Sequence, residues 1–154
     1  MLIGSVALIL HLFSAVIWVG GMFFALFVLR PASGPLDPPV RLGLWLRVLD
    51  GFFAWVFAAI VVLLLTGFTM IFEIFGGFGG VQLYVNLMMA IGIVMMLLFL
   101  HLFFAPWRRF RAAMAAGDNP GAAAQLNQIR MIVAINLILG LVTAAIGSSG
   151  RYWS

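Results

Sequence analysis

Residues 81–105 read VQLYVNLMMAIGIVMMLLFLHLFFA, without one aspartate, glutamate, lysine or arginine. As a helix this stretch covers roughly 37 Å at about 1.5 Å per residue, more than the ~30 Å hydrocarbon core of a bilayer. Apolar and polar residues do not alternate along it, as they would in a strand of a membrane barrel. Pro106 follows at once and predicts the end of the helix, because an interior proline removes a backbone hydrogen bond and clashes with the preceding turn.

Three more runs of the same kind lie on either side. The first spans residues 2–29 and is closed by Arg30 and Pro31; the second spans about 52–75 and is closed by the glycine-rich 76–80; the fourth spans about 131–147. The first is too long, and too poor in leading basic residues, for a cleavable signal peptide, so it reads as a retained helix. The prediction is an all-α fold: a four-transmembrane-helix bundle forming a single integral membrane domain over residues 1–154. Of the 154 residues, 66% are hydrophobic and 8% charged, against about 25% charged in a soluble domain. So few charges cannot cover a water-facing surface, and the lipid bilayer is the expected partner.

The net charge is +4, and every basic residue is an arginine. Seven of the eight fall in the connections at 30–51 and 105–130, and only Arg151 lies on the other side. That asymmetry sets topology rather than nucleic-acid binding, and it predicts both long connections in the cytoplasm, with both termini and the 76–80 turn outside. Trp107 and Trp153 suit interfacial anchors. The amphipathic stretch 41–47 either lies at the interface or extends the second span. A turn is expected at Gly117-Asp118-Asn119-Pro120.

With no cysteine, disulfides, thiolate zinc sites, iron–sulfur clusters and cysteine nucleophiles are excluded. No phosphate loop, catalytic triad or HExxH motif is present, and four carboxylates are too sparse for a conventional hydrolase pair. No catalytic residue is assigned.

Polar groups within a span are costly and face the bundle interior. His11 shares one face of its helix with Ser14, Trp18, Gly21 and Ala25, small residues that suit close packing. It is either a metal or haem ligand or an imidazole bonded to another helix. Thr66, Thr69, Met70 and Glu73 form a stripe at the outer end of the second span, where Glu73 can pair with His11 or meet interfacial water. Asn86 and Met89 share a face of the third span. His101, near the inner end, lies roughly 20 Å from the depth of His11 at about 1.5 Å per residue, too far for one haem iron to join them. In the fourth span, Asn136, Gly140, Thr143 and Gly147 form a close-packing face, with Asn136 and Thr143 bonding across helices. Nine methionines bring thioethers, which suit Cu(I), although methionine is also a common filler of apolar interiors.

The string from His11-Leu12-Phe13-Ser14 through Trp18-Val19-Gly20-Gly21 to Leu29-Arg30-Pro31 resembles the opening helix of the CopD-like proteins, bacterial inner-membrane proteins linked to copper resistance and uptake. It also resembles HemJ, a haem-binding membrane family implicated in oxidising protoporphyrinogen. Leu83-Tyr84-Val85-Asn86-Leu87-Met88, with His101 before an arginine-rich exit, is similar to the corresponding span in both. HemJ-like proteins carry lysine where Asn86 falls, a departure that argues against protoporphyrinogen chemistry. The resemblance implies binding or transport of copper ions in a bacterial inner membrane. His11, Glu73, Met70 and Met89 are then the candidate metal ligands, with Asn86 as a supporting polar group and a homodimer expected to complete a transport path. The alternatives are a haem b protein, with His11 as axial ligand beside Trp18 and Asn86 and with Gly21 and Gly140 making room for the macrocycle, or a membrane subunit without enzymatic activity.

Overall fold

The computed structural model describes residues 2–152. Four long helices make up nearly all of it: α1 Leu2–Ala32, α2 Pro38–Glu73, α3 Leu83–Ala115 and α4 Asn119–Tyr152. Each is long and apolar enough to cross a membrane, and no strand occurs among the described residues. The all-α, four-span architecture is therefore the one observed. Trp153 lies outside the described residues.

The helices outrun the apolar stretches because much of the connecting sequence is helical too. Pro38 and Pro39 open α2, where a proline needs no N–H partner and its fixed φ suits the first turn. The amphipathic 41–47 continues straight into the span, burying Leu42 and Trp45. Pro106 does not end α3. The chain widens into a π-helical turn over Phe103–Trp107 and then resumes as α-helix to Ala115. The wider turn absorbs the missing hydrogen bond and makes room for the ring, so the helix passes the proline instead of stopping. In α1, a π turn at Ala25–Leu29 likewise precedes Pro31, and the helix runs on to Ala32.

Between α3 and α4 the chain reverses in a tight corner. Gly117 adopts φ +70°, a left-handed conformation that glycine enters without steric cost. Its N–H donates to Met114 O (3.2 Å), and the N–H of Asp118 donates to Ala113 O (2.9 Å), the paired bonds of a Schellman ending. The Asp118 carboxylate then caps α4 by accepting from the Gly121 N–H at 2.9 Å.

The four helices form two antiparallel hairpins. Gly4 meets Ile74, His11 meets Thr66 and Gly21 meets Phe52 along the α1/α2 seam. Tyr84 meets Gly150, Met88 meets Gly147 and Met95 meets Asn136 along α3/α4. Rings clamp the hairpins together in the arginine-rich half. Phe53 lies 5.5 Å from Phe99 and 5.0 Å from Trp107, Phe57 lies 4.8 Å from Phe103, and Trp18 lies 6.2 Å from Phe99 (centroid distances), all edge-on, the geometry that ring quadrupoles favour. Trp107 is only 1% exposed. It is a core residue, not an interfacial anchor, because the continuing helix turns it inward between Phe53 and Phe110.

The shared core reaches only as far as Trp18, Ala59, Met95 and Leu137. Gly140 of α4 is buried at that level against Val19 of α1 and Met95 of α3; further toward the arginine-poor end fewer residues are buried, namely Gly4, Ala7 and Ser14 of α1, Thr66 and Ile71 of α2 and Gly150 of α4. Asn136 donates across the bundle to Met95 O at 3.1 Å, as expected. Thr143 instead donates to Leu139 O of its own helix at 2.8 Å, because the carbonyl one turn back is always within reach of a helical threonine.

Candidate functional site

A side-chain hydrogen bond between spans, shorter than the Asn136–Met95 bond, lies on the α1/α2 seam. His11 Nδ1 is 2.9 Å from Thr66 Oγ1, and Thr66 Oγ1 is 2.6 Å from Val62 O. The hydroxyl has one proton, and the shorter contact, to a pure acceptor, takes it. Thr66 Oγ1 therefore accepts from His11 Nδ1–H, which assigns the proton of the neutral ring to Nδ1 and leaves a lone pair on Nε2. An imidazole oriented by a hydrogen bond from one ring nitrogen, with the lone pair on the other, is the arrangement a metal-ligating histidine uses.

The α2 backbone makes room for the ring. A Cβ added at Gly67 would stand 3.6 Å from His11 Cε1, so the imidazole edge lies directly over the glycine. On the face that carries Thr66, Met70 is one turn and Glu73 two turns further out. Met70 is half-buried and Glu73 exposed. Glu73 lines a cleft of about 270 Å³ with Gly4, Ser5, Leu8 and Ile74, at the mouth of the seam. Glu73 and Thr66 are separated by roughly 10 Å along the helix axis at about 1.5 Å per residue. Glu73 makes no hydrogen bond to His11; Thr66 is the partner. Carboxylate, thioether and imidazole thus follow one another inward from the cleft. Among the described residues no three histidine or carboxylate groups cluster, so the donor set is a ladder of unlike groups and not a carboxylate–imidazole cage.

The remaining candidates stand elsewhere. Asn86 is exposed and Met89 half-buried on α3, whose outer half packs on α4 through Tyr84 and Met88; neither is brought to His11. Trp18 lies two turns inward of His11, buried against Phe99, where it serves packing. His101 is exposed on α3. The partner that sequence reasoning left unassigned is Thr66. It stood in the polar stripe, but only the register of α1 against α2 selects it over Glu73.

The interior does not suit a haem. The glycines that would make room for the macrocycle are already filled: Phe52 occupies the space beside Gly21, and Val19 Cγ2 lies 2.8 Å from where a Gly140 Cβ would be. They bring helices together and leave no slot.

A family model described as copper resistance protein D, CopD, matches residues 46–149, about two thirds of the chain. The chain belongs to the CopD family. It is thus a multi-pass membrane protein of the copper-resistance class. No curated protein and no solved structure matches it. The CopD match takes in Thr66, Met70, Glu73, Asn86, Met89 and His101 and leaves α1, with His11 and Trp18, outside. The HemJ likeness has no counterpart in this match.

Proposed function

We propose that this CopD-family protein binds copper ions as cargo at the arginine-poor end of the α1/α2 seam. The observation that carries the reading is the His11–Thr66 bond, which orients the imidazole through Nδ1 beside the face of α2 that also carries Met70 and Glu73. Imidazole and thioether are ligands that suit Cu(I). Glu73 collects the cation at the cleft, Met70 receives it one turn deeper, and His11 is the innermost ligand. Asn86 and Met89 belong to the opposite hairpin and join the ion only if the two outer halves close.

The positive-inside rule places the arginine-rich connections in the cytoplasm and this seam outside, in a bacterial inner membrane. Two copies of so short a bundle would be needed to complete a transport path.

The test is metal content together with the visible spectrum of the purified protein. The reading expects one Cu(I) per site, lost in His11→Ala, and no Soret band. A Soret band that disappears in His11→Ala would replace copper with haem, and copper retained in full by that variant would sink the site.

A further inference from the structure

The outward face of α3 sets two polar groups against lipid. The inward face is used within the bundle: Met88 packs on Gly147 of α4, Asn136 bonds to Met95 O, and Phe99 and Phe103 meet Phe53 and Phe57 of α2. On the opposite side Asn86, Ala90, Ile93, Leu97 and Leu100 are all exposed, and so is His101. Asn86 and His101 both fall inside the charge-free run 81–105. They stand roughly 22 Å apart at about 1.5 Å per residue, one toward each end of the span. Thr69 and Thr143 satisfy their hydroxyls on carbonyls of their own helices. Among the described residues no hydrogen bond joins the Asn86 or His101 side chain to another span.

A carboxamide or imidazole turned to acyl chains loses its bonds to water without replacement, which is why such groups within a span face protein. The residues around them are spaced to meet a helix. Asn86, Ala90, Ile93, Leu97 and Leu100 recur at intervals of four, three, four and three, the 3.5-residue repeat of a coiled-coil seam, and His101 borders it. Ala90 is small enough for close approach. The chemistry of Asn86 says which helix the seam meets. Copies that share one membrane orientation carry their α3 helices parallel, so a two-fold axis along the membrane normal brings Asn86 of two copies together at one depth. A carboxamide holds both donors and an acceptor, so two of them satisfy each other, whereas a lipid tail offers neither.

We propose that α3 pairs with α3 of a second copy along Asn86, Ala90, Ile93, Leu97 and Leu100, the two Asn86 carboxamides bonding to each other and His101 sheltered at the margin of the seam. This gives the two-copy assembly put forward above its interface. It does not rest on copper, because no residue of the His11–Thr66 seam takes part.

Cysteine cross-linking in membranes tests it, since the chain has no cysteine of its own. With a short bifunctional thiosulfonate, Ala90→Cys and Leu97→Cys should each give a covalent dimer, whereas Ile138→Cys, exposed on α4, should stay monomeric. In detergent, sedimentation should show the dimer weakened about tenfold in Asn86→Leu, which alters no buried side chain, and largely kept in Asn86→Gln. Equal cross-linking at all three positions, cross-linking at Ile138→Cys alone, or a monomeric wild type would overturn the interface. So would a dimer of unchanged affinity in Asn86→Leu. A cross-linked dimer that holds no copper would overturn the copper site and support this interface.

Discussion

At the scale of single residues the decisive group is Thr66, because it gives a histidine within a span a hydrogen-bond partner and, in the proposed copper site, would orient it as a ligand. Its hydroxyl is committed to Val62 O, so it can only accept from His11. Thr66→Val keeps the shape and removes the acceptor. We expect Cu(I) affinity to fall about 10–100-fold, the usual loss when a second-sphere partner of a metal ligand is removed. Chelator competition would measure it, and Thr66→Ser should restore the wild-type value; an unchanged affinity in Thr66→Val would refute the assigned role. His11 was legible in the sequence as an imidazole that had to find a partner. The partner was not, because Thr66 and Glu73 lie on the same face of α2 and hydropathy does not report which turn faces His11.

At the scale of elements, the sequence located the spans but not their ends. Pro31 and Pro106 read as terminators, yet π turns beside them let α1 and α3 continue. A widened turn leaves no mark in hydropathy, since it changes hydrogen-bond spacing and not composition. The Gly117 corner, by contrast, was visible as Gly-Asp-Asn-Pro. There the glycine takes the left-handed φ, the aspartate supplies the side-chain cap, and the proline sits where the N–H is spare. Gly117→Ala must place a Cβ in the left-handed region, at a cost of about 1–2 kcal/mol. Unfolding of the variant in mixed micelles should report a destabilisation of that size. Stability equal to wild type would show that the corner relaxes freely.

At the scale of the whole molecule, the absence of cysteine makes topology directly measurable. Gly79→Cys, in the short turn, and Ala116→Cys, at the α3/α4 corner, both introduce exposed thiols into an otherwise cysteine-free chain. A membrane-impermeant maleimide applied to intact cells should label Gly79→Cys and spare Ala116→Cys until the membrane is opened. The reverse pattern would invert the proposed orientation and move the proposed copper site to the cytoplasm. The helix number and the inward face of α1 followed from apolar length and spacing. The docking of the two hairpins on each other did not, because it depends on Phe53 and Phe57 of α2 interlocking with Phe99 and Phe103 of α3, and hydropathy does not report which rings face lipid and which the core.

Because the fully buried shared core stops at Trp18, Ala59, Met95 and Leu137, side chains of the two hairpins lock together mainly in the arginine-rich half. In a bilayer, hydrocarbon tails would supply part of the packing between hairpins toward the other end. Bilayer thickness and tail order therefore enter the molecule's own conformational balance, and a short-chain detergent removes part of what holds its outer ends in place.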